Sequence, residues 1–370
     1  MSNIFITGGT GFLGSSLVEE ILSSSDDTVH VLVRGKNIDE ARARLLSVLK
    51  ELSDSNKLDK NLEERIKVYV GDITQENFGL SQKTAKYLID TSDLIYHSAA
   101  ITELNLSLEK VRGINVEGTR NVLDFALACK KNGRLKKVSY ISTAYVAGTK
   151  KCIFKEKNLD IGQDFNNTYE QSKYEAEKLA NKYREKGAQI DIFRPSIILG
   201  RYKDGKALKL DMLYKPLRSF SLDLFTKIPV IEGSNINLIN VDIAAKAIIS
   251  ITNNTKNANR NYHITSPKVS TLDYILDLAS EHFGFKRPEL VQWEKLDFYK
   301  DYSAVERKIL EPYSPYFNYQ TEFDMHNTLT ELKKKEFAFP DFDKENFIRL
   351  FEYCDKVGFI KRKEKNAAVR

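Results

Sequence analysis

Short apolar runs alternate with amphipathic stretches over residues 1–200 of the chain. The runs are rich in β-branched residues and have the length of buried strands, whereas the stretches between them place apolar residues three and four apart, as on one face of a helix. Strands are predicted at 3–7, 28–33, 66–70, 94–96, 137–141 and 189–193. Such alternation predicts an α/β fold with a doubly wound parallel sheet.

The pattern changes after Gly200. Residues 203–217 are polar and irregular, which predicts a mobile loop over the site or a simple surface excursion. Residues 239–251 predict a strand, a turn and a helix, and 262–265 predict a strand that returns to the sheet. We expect a Rossmann-type domain over 1–200, with 236–265 returning to it. A smaller, mostly helical C-terminal lobe would then comprise 201–235 and 266–370.

The first predicted strand runs into a glycine-rich turn, and an amphipathic helix follows to about Leu22. Glycines in such a turn allow a tight bend, bring backbone N–H groups close to a pyrophosphate and let the helix pack against the strand. The order strand, turn, helix favours a dinucleotide site over a turn that binds nothing. The predicted contacts are Gly8, Thr10, Gly11, Phe12, Leu13 and Gly14.

Arg34 follows the second predicted strand, near the place where a carboxylate would select NAD. A guanidinium there suits a ribose 2′-phosphate, so the sequence predicts NADPH, with Arg34 as the principal contact and Arg44 as a second. A solvated arginine at a strand end is the alternative. After the third strand, Asp72 and Ile73 are expected at the adenine edge, unless Asp72 only caps a turn.

Tyr169 and Lys173 lie four residues apart in a helix predicted to end near Lys186, so both project from one face. A phenol with a pKa of about 10 transfers protons poorly at neutral pH, but a nearby ammonium is expected to lower that pKa. The pair then forms an acid/base device; a solvated surface pair is the alternative. Thr143 ends the fifth strand, where parallel sheets bind ligands, although strand-end hydrogen bonding is the commoner role.

Small residues follow the fourth strand and leave space for a cofactor to cross the sheet. They are Ser98, Ala99 and Ala100. His97, just before them, is expected to be packed and hydrogen-bonded rather than catalytic. A long helix is predicted over 108–130, and its Asn115 lies among apolar neighbours, so the amide needs hydrogen-bond partners. Asn115 would hold the backbone open or position a water near Lys173.

The composition is that of an ordinary globular protein, with 42% hydrophobic residues, 29% charged residues and a net charge of +6. No basic face with interleaved aromatics indicates nucleic-acid binding, and the histidines and cysteines show no metal-ligand spacing. No apolar stretch approaches the ~20 residues that span a bilayer. We expect a cytoplasmic protein without a metal, a nucleic-acid partner or a transmembrane segment; its oligomeric state stays open.

Together these features resemble the extended short-chain dehydrogenase/reductase superfamily. The matching motifs are Thr-Gly-Gly-Thr-Gly-Phe-Leu-Gly (7–14), Gly-Asp-Ile (71–73), His-Ser-Ala-Ala (97–100), Asn115, Ser-Thr-Ala-Tyr (142–145), Tyr169-x-x-x-Lys173 and Arg-Pro-Ser-Ile (194–197). The resemblance implies that Tyr169 transfers a proton, that Lys173 lowers its pKa and binds the nicotinamide ribose, and that Thr143 lies beside the substrate oxygen. It also places Asn115 in the catalytic set, with Pro195 and Ile197 beside the nicotinamide.

Residues 162–177 are similar to the thioester reductase branch of that superfamily, which includes the male-sterility-type fatty acyl-CoA reductases. The resemblance implies NADPH-dependent reduction of an acyl-CoA or acyl-carrier-protein thioester to an aldehyde, with further reduction to the alcohol left open. No adenylation or carrier domain is recognised, so we expect the substrate to arrive in trans.

Three other functions remain open from the sequence. A nucleotide-sugar epimerase or dehydratase would use the same tyrosine, lysine and threonine on a sugar hydroxyl, and a ketone or aldehyde reductase would use them on a free carbonyl. A catalytically silent dinucleotide sensor is the remaining class. The aromatic-rich segment from Tyr299 to Phe323 would either line an acyl tunnel or form a helical cap packed by its own aromatics.

Overall fold

A computed structural model describes residues 1–54, 59–254 and 258–363 of the chain. The end of the predicted C-terminal lobe, 364–370, lies outside the described residues. The strands are β1 (Asn3–Thr7), β2 (Thr28–Val33), β3 (Ile66–Val70), β4 (Leu94–His97), β5 (Lys137–Ile141), β6 (Ile153–Phe154), β7 (Ile190–Pro195), β8 (Ile197–Leu199), β9 (Lys227–Val230), β10 (Leu238–Asn240), β11 (Asn261–Ile264), β12 (Glu289–Gln292) and β13 (Glu322–Phe323).

The helices cover both faces of the main sheet and build the C-terminal lobe. They are α1 (Phe12–Ser24), α2 (Ile38–Leu52), α3 (Lys60–Glu64), α4 (Gln82–Thr91), α5 (Leu108–Asn115), α6 (Glu117–Lys131), α7 (Thr168–Glu185), α8 (Tyr214–Ser221), α9 (Val241–Thr252), α10 (Leu272–Phe283), α11 (Ala304–Leu310), α12 (Ser314–Phe317), α13 (His326–Lys333) and α14 (Lys344–Lys356).

Seven strands form one parallel sheet in the order β11, β7, β5, β4, β1, β2, β3. The chain moves outward from β1 through β3, crosses back, and then moves outward in the other direction from β4. The carboxyl ends of β1 and β4 therefore flank the crevice at which such sheets bind ligands. The predicted α/β doubly wound fold is confirmed, and the expected returning strand is β11, beside β7.

Two of the predicted elements are wrong. The helix expected over 108–130 is two helices joined at Val116, where φ is −94° and ψ is −56°. Asn115, the last residue of α5, is hydrogen-bonded to a neighbouring segment at this break. The irregular stretch expected to reach residue 217 ends earlier, because α8 begins at Tyr214 and buries Leu217 and Phe220.

Three large apolar clusters hold these layers together. One lies between the sheet and α1, α2 and α9, and a second lies on the opposite face, under α4, α6 and α7. The third includes Phe220, Leu276 and Phe351 of the expected C-terminal lobe, and also Tyr145 and Leu238. This cluster therefore joins the lobe to the rest of the chain, and the residue boundaries expected for the lobe stay a prediction.

Candidate active site

The glycine-rich turn after β1 is shaped by close backbone approaches. Gly8 has φ +77°, and a Cβ added there would lie 2.5 Å from the backbone N of Ala99. A Cβ on Gly14 would lie 2.1 Å from the carbonyl oxygen of Gly8. Helix α1 begins at Phe12 without a side-chain cap, so its first N–H groups remain available to an anion. Thr10 is a half-buried member of the same turn.

Arg34 and Arg44 lie together beyond the end of β2. Both are exposed, and Arg44 Nη1 lies 3.5 Å from the carbonyl oxygen of Arg34. In the described part of the chain neither guanidinium pairs with a carboxylate, whereas the nearby Arg42 is bound to Glu63 at 2.8 Å. Two unpaired cations at this strand end form a favourable place for a phosphate.

Asp72 and Ile73 make contacts within their own turn and with α6. The Asp72 carboxylate accepts hydrogen bonds from the backbone N and the hydroxyl of Thr74, both at 2.9 Å. Ile73 is buried against Gly118 of α6. These contacts are those of a turn that caps itself, and the expected adenine contact stays a prediction.

The exit of β4 is packed tightly around His97. Its Nδ1 lies 2.8 Å from the Thr7 hydroxyl and its Nε2 lies 2.9 Å from the Thr119 hydroxyl. Burial lowers the pKa of His97 to about 3, so the imidazole is neutral and hydrogen-bonded. The small residues that follow it, Ser98 and Ala100, line the crevice, and Ala99 packs against Gly8.

Thr143, Tyr169 and Lys173 meet at one cleft of about 560 Å³. Thr143 follows β5 and accepts a hydrogen bond from Tyr145 N, while α7 starts at an Asn167 cap and carries Tyr169 and Lys173 one turn apart. The Lys173 ammonium donates to the Ile141 carbonyl at 2.7 Å and lies 4.4 Å from the ring centre of Tyr140. The same cleft is lined by Gly11, Phe12, Leu13, Gly14, Arg44, Ser98, Ala100, Pro195 and Ile197.

The pKa of Tyr169 is shifted upward, opposite to the direction that the sequence predicted. Burial raises the pKa of Tyr169 to about 12, and a hydrogen bond with Thr143 opposes this only in part. Burial also lowers the pKa of Lys173 to about 7, against the attraction of Glu177. Desolvation is therefore the largest cause of both shifts, and Tyr169 is a protonated phenol at neutral pH. Such a group is ready to donate a proton.

A family model of NAD-binding domains, described as Male sterility protein, matches residues 6–248. The chain belongs to the Male sterility protein family. The match agrees with the sequence motifs, which resemble the extended short-chain dehydrogenase/reductase superfamily.

Relatives of this chain are found among large synthetases and reductases. One component of linear gramicidin synthase from Brevibacillus parabrevis is 25% identical over 96% of this chain, which spans 7% of that component. L-2-aminoadipate reductase of Saccharomyces cerevisiae is 27% identical over 97% of this chain, which spans 28% of it. The solved terminal R domain of the myxalamid PKS-NRPS pathway shares the fold, with TM-score 0.84, 24% identity, and coverage of 98% of this chain and 93% of that one.

Asn115, at the end of α5, is hydrogen-bonded to the segment after β4 and to α7. Its Oδ1 accepts from Ile101 N at 2.8 Å, and its Nδ2 donates to the Ile101 carbonyl at 3.0 Å and to the Ser172 hydroxyl at 2.9 Å. The amide is buried and does not line the cleft. It links the segment after β4 to α7, and its expected place in the catalytic set stays a prediction.

Two serines that belong to the matching motifs were not predicted as cofactor contacts. Ser142 and Ser196 are buried and line the cleft, and neither hydroxyl has a hydrogen-bond partner among the described residues. Buried hydroxyls are rarely left unpaired, so this wall fits a polar ligand such as the nicotinamide end of a dinucleotide. Their positions directly after β5 and after Pro195 were the available signal.

The described residues were searched for metal-binding groups and for membrane-spanning helices. Within residues 1–54, 59–254 and 258–363, no group of three or more His, Cys, Asp or Glu side chains is arranged to hold a metal ion. In the same part of the chain, no helix combines the length and the apolar character that crossing a membrane requires.

Proposed function

We propose that this protein uses NADPH to reduce a carrier-bound acyl thioester, or an acyl-CoA, to an aldehyde and a free thiol. The observation that carries the proposal is one continuous cleft, which runs from the N-terminal end of α1 to Thr143, Tyr169 and Lys173. The names of the large relatives, a linear gramicidin synthase and an aminoadipate reductase, support a carrier-bound substrate.

The residues of the cleft divide the chemistry among them. NADPH, when bound, supplies the hydride that adds to the thioester carbonyl carbon. The hydroxyls of Thr143 and Tyr169 donate hydrogen bonds to the carbonyl oxygen, and these bonds strengthen as negative charge develops there. Tyr169 then gives its proton to that oxygen, which yields a hemithioacetal. When the C–S bond breaks, the hemithioacetal hydroxyl gives up its proton, and the products are an aldehyde and a thiol.

Lys173 has a positioning part in this scheme. Its ammonium is held by the Ile141 carbonyl at 2.7 Å, within one helical turn of Tyr169, where it can donate to the nicotinamide ribose. Arg34 and Arg44 would hold the 2′-phosphate, and the amide groups of the glycine turn would hold the pyrophosphate. The C-terminal lobe, 201–235 and 266–370, would bind the acyl group.

A substrate panel with product identification tests the proposal. We expect NADPH oxidation with acyl thioesters, on CoA or on a carrier protein, and an aldehyde product. We expect no comparable turnover with nucleotide sugars. Turnover of nucleotide sugars without turnover of any thioester would contradict the proposal in favour of an epimerase or dehydratase.

The matched variants are Tyr169→Phe and Tyr174→Phe, which remove one hydroxyl each from the same helix. Tyr174 lies outside the cleft, where its hydroxyl contacts Lys178. Loss of the proton donor should reduce kcat by about 10²–10⁴-fold, whereas Tyr174→Phe should keep wild-type kcat. Equal activities would remove Tyr169 from the mechanism.

A further inference from the structure

The wall of the cleft opposite the glycine turn is aromatic. Tyr145, which follows the catalytic Thr143, and Tyr316, on α12 of the C-terminal lobe, both line the cleft. Their rings meet edge to face, with centres 4.9 Å apart and planes at 83°. Of the seven aromatics singled out between Tyr299 and Phe323, Tyr316 is the one that reaches the cleft. The others pack in the C-terminal core or, like Tyr299, face solvent.

The hydroxyl of Tyr316 is hydrogen-bonded at the start of α7, the helix that carries Tyr169 and Lys173. It accepts a hydrogen bond from Asn167 Nδ2 at 2.8 Å. Burial, together with the charge of the fully buried Glu170, raises the pKa of Tyr316 well above its usual value. Asn167 and Glu170 flank Tyr169 along α7. The hydroxyl of Tyr316 thus lies against the start of α7 and already has a hydrogen-bond partner there. Tyr316 therefore offers ring carbon, not its hydroxyl, to whatever lies beside Tyr169.

Apolar side chains and a paired set of charges lie among the other groups that line the cleft. Leu104, Met212 and Ile198 are apolar, whereas Thr102 and Glu103 line it as exposed polar residues. Lys209 and Asp211 also line it, but they bind each other at 3.0 Å, and Asp211 is further paired with Lys215 at 3.0 Å. A charged acyl group placed against the two rings would lose hydration there, and the ring carbons offer it no hydrogen bond in return.

From these contacts we infer that Tyr316 determines substrate specificity and that the acyl group next to the thioester is apolar. This inference rests on the proposed function. The acyl chain lies against the rings of Tyr316 and Tyr145, and the C-terminal lobe takes part in substrate choice through one side chain anchored to the catalytic helix. Tyr316 touches substrate without taking part in proton or hydride transfer.

The test compares kcat/KM for hexanoyl-CoA, acetyl-CoA and succinyl-CoA in wild type and three variants. Wild type should prefer hexanoyl-CoA to both others. Tyr316→Ala should lower the ratio of hexanoyl to acetyl by about tenfold, because a ring-sized apolar contact is lost. Tyr316→Phe keeps the ring and should keep the ratio. The control Tyr299→Ala, at a residue 76% exposed in the same segment, should also keep it.

NADPH affinity, measured by fluorescence titration, checks that each variant is folded. If Tyr316→Ala fails this check, Tyr316→Leu replaces it and should lower the ratio by about threefold. An unchanged ratio in the folded variant, or a wild-type preference for succinyl-CoA, would overturn the inference while leaving thioester reduction intact. A folded wild type that binds NADPH but reduces no thioester would overturn the proposed function and this inference with it.

Discussion

A buried phenol beside a buried amine is the feature on which the chemistry of this protein depends at the scale of single residues. Burial raises the pKa of Tyr169 to about 12 and lowers that of Lys173 to about 7. Both shifts come chiefly from desolvation, which favours the neutral form of each group. A reductase needs a proton on its tyrosine when the hydride arrives, and this environment supplies it at neutral pH.

The lowered pKa of Lys173 makes stability depend on pH. In the unfolded chain a lysine holds its proton up to a pKa of about 10.4, whereas the folded protein releases it near 7. Between these values the unfolded state binds more protons, so this lysine makes the free energy of unfolding rise with pH. Urea unfolding at pH 7 and pH 9 should show wild type gaining stability relative to Lys173→Met. A constant difference between the two proteins would contradict the pKa shift.

Cofactor choice is the second prediction for single residues. Arg34→Ala should weaken NADPH binding by about 10- to 100-fold, since a hydrogen bond to a charged group contributes roughly 1.5–3 kcal/mol. NADH binding should not change. Arg42→Ala is the control, because Arg42 is already paired with Glu63. Titration of each variant with both cofactors decides the matter: an unchanged preference for NADPH would remove Arg34 from the phosphate site.

At the scale of elements, the turn between β1 and α1 tolerates no side chain at Gly14. Gly14→Ala would place a Cβ 2.1 Å from the Gly8 carbonyl oxygen, so the turn must open and NADPH binding should be lost. Gly113→Ala is the matched control in α5, where a Cβ meets nothing within 4 Å. It should keep NADPH binding and stabilise the fold by about 0.5–1 kcal/mol. Retained binding in Gly14→Ala would show that the phosphates lie elsewhere.

The strands could be predicted from the sequence, whereas the break between α5 and α6 could not. Parallel strands covered on both faces are continuous apolar runs, so the strands of the main sheet and the return of β11 were predictable. The break at Val116 was not, because the apolar period continues from α5 into α6. Asn115 was recognisable as a buried amide that needed partners, but Ile101 and Ser172 could not be named without the fold.

At the scale of the whole molecule, a buried carboxylate connects α13 of the C-terminal segment to β11 at the edge of the sheet. The Glu156 carboxylate accepts from His263 N at 3.0 Å and from the Thr328 hydroxyl at 2.7 Å. Nearby, Arg194 and Glu177 form an ion pair with both side chains fully buried. Leaving such partners unpaired is costly, so these contacts hold α13 against β11 and the segment after β6.

Contacts between residues far apart in the chain were the part of the site that the sequence did not predict. The motifs for Tyr169, Lys173 and Thr143 are local, so spacing and resemblance sufficed to select them. Tyr316 joins the site from a position 149 residues after its partner Asn167. Nothing in its own segment distinguishes it from six neighbouring aromatics, and only its contacts with Asn167 and Tyr145 in the folded chain identify it. The sign of the Tyr169 pKa shift failed for the same reason, because burial is a property of the fold.

The central claim is that a hydride passes from NADPH to a thioester carbonyl carbon while Tyr169 provides the proton. The most direct measurement is single-turnover mass spectrometry with an acyl thioester and NADPH dideuterated at C4. Wild type should give an aldehyde carrying one deuterium on its carbonyl carbon, and Tyr169→Phe should form it about 10²–10⁴-fold more slowly. An aldehyde without deuterium, or equal rates in the two proteins, would contradict the account.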